Sequence, residues 1–275
     1  MSAVTRRGLL GAAATGALSL AACATPASNT LAPAAPAYDG AAEFRHGVAS
    51  GDPLPTKVII WTRVTPTSGT GPIPVRYDVY GESDGATPLL SGLVTADASR
   101  DYCVKVDVKG LSPATAYLYR FTALTSAGEI ASPDGRTRTT AASGNAPVKL
   151  GVASCANWQF GKFNAYKALA AEPDLDAIVF LGDYLYEYGI DGYGAETAQA
   201  LGRLHDPITE IVTLGDYRMR HAQYKSDPDL QAAHAAAPWI CTWDDHESAN
   251  DSYRTGAQNH NPEEGEGDWS DRKQA

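Results

Sequence analysis

The chain has 275 residues, 44% of them hydrophobic and 20% charged, with 26 Gly and 17 Pro. That balance excludes a disordered or fibrous chain and leaves room for one large or two small domains at about 100–200 residues each. A formal net charge of −10 argues against a specific nucleic-acid surface, because a polyanion repels a net anion, and no apolar run reaches the ~20 residues that a bilayer span needs.

Thr5-Arg6-Arg7-Gly8-Leu9-Leu10 sets a twin arginine before a short Ala-rich stretch, long enough for an export signal and too short for a transmembrane helix. Signals of this kind address bacterial proteins that are exported already folded. Leu20-Ala21-Ala22-Cys23 reads as a lipoprotein box with Cys23 lipidated, while Ala22-Cys23-Ala24 reads equally as a small-x-small cleavage site. The expectation is a signal over 1–23, use of the twin-arginine export machinery, and a location that is periplasmic, lipid-anchored at a membrane, or extracellular. Residues 24–43 are rich in Ala and Pro and read as a flexible tether. Removing 1–23 takes away Arg6 and Arg7 and no acid, so the net charge moves from −10 to −12. A negative substrate would then need cations at its site. With Cys23 in the signal, Cys103, Cys155 and Cys241 remain, an odd number that leaves at least one thiol unpaired.

Residues 44–142 read as short strands separated by turns. Val58-Ile59-Ile60-Trp61 reads as a continuous buried run, and Val75–Tyr80 and Asp101–Val108 alternate. Leu111-Ser112-Pro113-Ala114-Thr115-Ala116-Tyr117-Leu118-Tyr119 resembles the entry to a strand in fibronectin type III and immunoglobulin-like sandwiches, where a corner tyrosine, here Tyr117, bonds to backbone just upstream. An unrelated β-barrel shares this texture. Nothing in the region suggests chemistry.

Residues 146–275 change texture. Val148–Ser154 and Asp176–Leu181 read as buried strands with a helix over Gly161–Glu172 between them, a parallel βαβ unit. A helical stretch over Asp216–Ala236 breaks at Asp227-Pro228, and Trp239–Trp243 forms a third strand. In such folds ligands bind at the carboxyl ends of the strands. Those ends carry Ser154-Cys155-Ala156-Asn157, then Gly182-Asp183-Tyr184-Leu185-Tyr186-Glu187-Tyr188, then Asp244-Asp245-His246-Glu247. Carboxylates suit calcium-like ions; thiolate, phenolate and imidazole suit iron or zinc. Adjacent acids such as Asp244 and Asp245 are costly unless a cation offsets them. Asp216 and Arg218 open a helix, where an Asp is usually a cap, and neither is assigned to the site.

Gly-Asp-x-x-Tyr followed by a strand ending in Asp-His-Glu resembles the metallophosphoesterase superfamily, and the finer pattern resembles the PhoD-type alkaline phosphatases and phosphodiesterases. The stretches that carry it are FRHGVASGDPLPTKVIIWTRV, LGVASCANWQFGKF, DAIVFLGDYLYEYG, TLGDYRMRHAQYKSDPDLQ and WDDHESAN. The implied fold is an α+β two-domain chain, an N-terminal fibronectin/immunoglobulin-like β-sandwich followed by a truncated α/β metallophosphoesterase domain. The resemblance implies Fe(III) held by Cys155, Asp183 and Tyr186, with neighbouring Ca²⁺ and with zinc as an alternative. It places Asp245 at a further metal position and His246 at the substrate, as a catalytic donor or an orienting group. The implied activity is hydrolysis of phosphate esters, small molecules or polymers, by water that the metals activate.

The resemblance further implies strands beyond residue 275 that complete the metal shell. On that reading the chain is a fragment with weak or no activity and an exposed apolar sheet face and edge strand. Asp268–Ala275 would open a helix capped by Ser270 or Asp271, a single turn without a packing partner. Two other functions fit parts of the pattern: a non-catalytic exported binding module, and a cysteine hydrolase with Cys155 as nucleophile and His246 as base.

Overall fold

The computed structural model describes residues 37–145 and 147–275. The expected signal over 1–23, Cys23 and most of the expected tether lie outside the described residues. The strands, in chain order, are β1 Ala42–Glu43, β2 Val48–Leu54, β3 Lys57–Arg63, β4 Thr65–Pro66, β5 Ile73–Gly81, β6 Leu90–Ala96, β7 Cys103–Lys109, β8 Ala116–Thr125, β9 Gly128–Ala131, β10 Gly135–Arg138, β11 Leu150–Ala153, β12 Ala177–Phe180 and β13 Trp239–Cys241. The helices are α1 Asn164–Ala171, α2 Ala195–Leu201, α3 Leu214–Lys225, α4 Pro228–Ala236 and α5 Trp269–Arg272.

Two larger sheets organise these strands. One, antiparallel, has the order β10-β8-β5-β6 with β9 against β8; the other has six strands in the order β11-β12-β13-β2-β3-β7. In the second sheet β11, β12, β13 and β2 run parallel, and β2, β3 and β7 continue antiparallel. This sheet crosses the expected boundary at 142–146, because β2 joins β13 through the register pair Trp239↔Gly51. A Cβ on Gly51 would lie 2.9 Å from the Trp239 carbonyl oxygen, so glycine lets the two strands approach. The described residues accordingly form one compact unit.

Four sequence expectations need correction. The tether does not extend to residue 43: Tyr38 is buried, its N–H donates to the Leu124 carbonyl at 2.8 Å, and Ala42–Glu43 pairs with Thr65–Pro66. An aromatic ring in a Pro/Ala-rich segment has apolar area to bury, and it does so here. The run Val58–Trp61 is not buried on both faces; Val58 and Ile60 face the core while Ile59 and Trp61 are half-buried. The last helix starts after Asp268 with no side-chain cap bond. It does have partners, since Arg272 is buried and pairs with Glu210 at 2.7 Å and Glu266 at 3.2 Å.

Local chemistry explains several elements. The Tyr117 hydroxyl accepts the Ser112 N–H at 2.8 Å, the upstream bond expected of that tyrosine. Asp227 ends one helix and begins the next: its side chain accepts the N–H groups of Asp229 and Leu230, with Pro228 at the first helical position. Thr213 and Asp216 form a reciprocal capping box at α3, which gives Asp216 a structural task. Helices α1 and α4 cover one face of the parallel strands through Tyr166, Leu230 and Ala233, which pack with Ile178, Phe180 and Trp239. On the opposite face Leu150 is 48% and Val152 61% exposed. No described helix is long and apolar enough to cross a membrane.

Candidate metal centre

The loops after β11, β12 and β13 are tied together by backbone. The Cys155 N–H donates to the Gly182 carbonyl at 3.1 Å and the Ala156 N–H to the Asp183 carbonyl at 3.0 Å. Parallel pairing thus continues beyond the strands and brings the first two loops side by side. Cys155 and Asp183 both adopt φ of 56°, a left-handed conformation that is uncommon for residues other than glycine and is concentrated at functional sites. Gly182, at φ +104°, lies where a Cβ would be 2.4 Å from the Asp244 nitrogen, so the second and third loops are in backbone contact.

The side chains converge at this seam. Asp183 Oδ2 accepts from Cys155 Sγ at 3.4 Å and from the Tyr186 hydroxyl at 3.2 Å. Asp183 Oδ1 is buried with no hydrogen-bond partner among the described residues. Ligand atoms of Asp183, Asp245 and His246 all lie within 4.8 Å of one another. Burial, followed by the charges of Asp183 and Cys155, pushes the Tyr186 phenol well above its ordinary range. Asp245 Oδ1 accepts the His246 N–H at 3.0 Å, and its Oδ2 accepts from the Asp251 N–H. A buried carboxylate oxygen without a donor, beside a second carboxylate, a thiol and a phenol, fits a multivalent cation. Two of the donor groups also hold strained backbone.

Three residues that sequence reasoning did not single out organise the site. Glu187 is fully buried, meets His246 Nδ1 at 2.7 Å, and accepts from the Asn250 N–H at 2.6 Å and Asn259 Nδ2 at 2.7 Å. Burial alone would lower the His246 pKa, but the bonded Glu187 carboxylate outweighs it and the net shift is upward. Glu247 joins the other two loops, accepting the N–H of Asp183 at 3.0 Å, that of Asp244 at 2.6 Å, and that of Tyr184. Burial, the largest influence, leaves its pKa raised despite those bonds. Arg220, fully buried on α3, donates to the carbonyls of Tyr188 at 3.0 Å, Pro207 at 3.0 Å and Asp206 at 3.1 Å, and to that of Tyr186. Glu187 and Glu247 stand inside the motifs themselves, but in one dimension nothing separates an inward-facing carboxylate from an exposed one. Arg220 carried no sequence signal beyond its place in a helix.

The expected metal and catalytic residues are therefore at this edge of the sheet, with Cys155 and Tyr186 both against Asp183; Cys23 lies outside the described residues. The Tyr186 ring lies 4.2 Å from the His246 ring, centroid to centroid. Cys155 and Tyr186 also line an open cavity of about 460 Å³ whose one lysine is Lys162. Of the other histidines, His46, His205, His234 and His260 are buried, and none belongs to the group of Asp183, Asp245 and His246.

Fold and site together define an α/β protein with acidic, thiol and imidazole groups gathered at the carboxyl ends of parallel strands, the place where such sheets bind ligands. The PhoD-like phosphatase family model matches residues 150–275, and that of the PhoD-like phosphatase N-terminal domain matches residues 30–141. The chain belongs to the PhoD-like phosphatase family. It is 43% identical over 215 residues to alkaline phosphatase D of Bacillus subtilis (strain 168), a match covering 75% of this chain and 36% of that protein. A solved structure of PhoD superposes with a TM-score of 0.74 at 39% identity, over 83% of this chain and 44% of that one. The chain thus spans less than half the length of each of these two relatives.

Proposed function

We propose that this chain carries a metal-dependent phosphate-ester hydrolase site, with Cys155, Asp183 and Tyr186 as ligands to one ion and Asp245 as ligand to another. The observation that carries the reading is the buried, partnerless Asp183 Oδ1, beside a thiol and a phenol that share the other oxygen. Fe(III) and Ca²⁺, with zinc as the alternative, would supply Lewis-acid polarisation of the phosphoryl group and of the attacking water. The chain's own residues bind and orient. Lys162 offers positive charge at the cavity beside Cys155 and Tyr186. His246, its Nδ1 committed to Glu187, presents Nε2 to hold a proton for the phosphoryl or leaving oxygen. Substrates are phosphate monoesters or diesters, small or polymeric. The twin arginine and the Cys23 box support export through the twin-arginine route, with a lipid anchor or a soluble periplasmic or extracellular end state.

The cysteine-hydrolase reading is less well supported, because Cys155 Sγ bonds to Asp183 and Nδ1 of His246 is taken by Glu187. A non-catalytic binding module would give no reason for the strain and the partnerless oxygen at the site.

The test is metal capture read together with turnover. The chain loaded with iron and calcium should bind iron, lose it on Cys155→Ala, and hydrolyse bis-p-nitrophenyl phosphate slowly or not at all, with chelator removing any turnover. Iron-free protein under every loading condition, or thiol-alkylation-sensitive and chelator-indifferent hydrolysis, would overturn the proposal.

A further inference from the structure

A second group of charged side chains lies outside the metal centre, where α3 packs on β3 and on the turn before β7. Arg218 Nη2 donates to the Ser99 carbonyl at 2.8 Å, and Lys225 Nζ lies 4.7 Å from the Trp61 ring. Between them is a cavity of about 250 Å³ lined by Arg63, Arg100, Arg218 and Lys225, with His46, His221, Trp61 and Cys103 in its walls. Asp101 is its only carboxylate, and that is spent on Arg63 at 2.7 and 2.9 Å. Arg100, Arg218 and Lys225 form no ion pair among the described residues.

Three unmatched cations in one hollow are unexpected in a chain of net charge −10. The partners of Lys225 are neutral: the Tyr184 hydroxyl at 3.0 Å and His234 Nε2 at 3.5 Å. Burial pulls the Lys225 pKa down to about 8, the behaviour of an ammonium group that has lost water without gaining a counter-charge. Lys225 lines both this hollow and a neighbouring one that it shares with Tyr184, His234 and Glu247, and no carboxylate pairs with it among the described residues.

We propose that this cavity binds a small oxyanion of the phosphate or sulfate class, held by Arg100, Arg218 and Lys225. Guanidinium groups present forked N–H donors to tetrahedral oxyanions and lysine adds a compact charge. The apolar walls supplied by Trp61 and Cys103 keep the local dielectric low, which strengthens those charges. At about 250 Å³ the hollow suits a small anion and excludes a nucleic-acid strand. It shares no lining residue with the cavity at Cys155, so the inference stands apart from the hydrolase reading.

The experiment is calorimetric titration of the chelator-treated chain with inorganic phosphate, and separately with sulfate, at low ionic strength where screening is weak. The expected result is one saturable site for which the two anions compete. Arg100→Ala and Arg218→Ala should each weaken it about tenfold or more, whereas Asp183→Asn should leave it unchanged. Arg100 is exposed, so its removal leaves the packing intact and decides the matter even if Arg218→Ala disturbs the Ser99 contact. Absence of saturable binding would overturn the proposal. So would a site lost in Asp183→Asn and retained in both arginine variants, which would place the anion at the metal centre.

Discussion

His246 and Glu187 stand 59 residues apart in the chain and meet at 2.7 Å, Nδ1 to carboxylate, with the carboxylate fully buried. The contact fixes which imidazole nitrogen faces the cluster of Asp183 and Asp245. It also makes Glu187 a positioning residue whose effect can be separated from packing.

Glu187→Gln keeps the shape and the acceptor for the Asn250 N–H but removes the charge opposite His246. The His246 pKa, followed by NMR in the metal-free chain, should fall relative to the parent, because the imidazolium loses its carboxylate. Metal affinity should drop about 10–100-fold, as for other groups that orient a ligand set. An unchanged His246 titration would refute the role.

Asp183→Asn should separate stability from function. Asn tolerates the left-handed backbone at φ 56° at least as well as Asp, and its carbonyl oxygen can still accept from Cys155 or Tyr186. Metal-free Asp183→Asn is therefore expected to have a melting temperature equal to or above that of the parent, while iron binding is lost. Scanning calorimetry and metal analysis of the same preparation check both halves.

Gly182→Ala should be strongly destabilising. The new Cβ would lie 2.4 Å from the Asp244 nitrogen at a residue with φ +104°, so strain and clash add to at least about 1–3 kcal/mol. Urea unfolding measures the cost, and an effect below a few tenths of a kcal/mol would show that the two loops are not in this contact.

Acid should destabilise the fold independently of the metal centre. His46 is lowered to about 4 and His205 to about 3, in each case by burial first and then by a neighbouring arginine, Arg63 or Arg220. The unfolded chain therefore binds more protons than the folded one below the ordinary histidine value. Stability is fully present above about pH 6.5 and is lost as the pH falls from there toward 4 or 3, by at most about 1.4 kcal/mol per pH unit for each histidine. Urea midpoints near pH 7 and pH 5 should differ in that direction, and equal midpoints would contradict the burial of both imidazoles.

Sequence alone determined the parts that depend on neighbours along the chain. The parallel strands showed as apolar runs, and Asp227-Pro228 declared a helix boundary through capping and the missing N–H of proline. The three motif stretches stood out because they follow those strands, and a parallel sheet puts consecutive strand ends on one edge; the family resemblance then singled out Cys155, Asp183, Tyr186, Asp245 and His246 within them. Tertiary structure alone decided which polar groups face inward. Glu187, Glu247 and Arg220 became the supports of the site, and Arg100, Arg218 and Lys225 were left without an ion-pair partner among the described residues. Only the pairing of Trp239 with Gly51 joined the N-terminal strands to the parallel ones in a single sheet. The physical reason is the same in each case. Burial, desolvation and hydrogen-bond partners depend on residues tens of positions away, and the local pattern of a sequence carries the period of an element but not the identity of what it packs against.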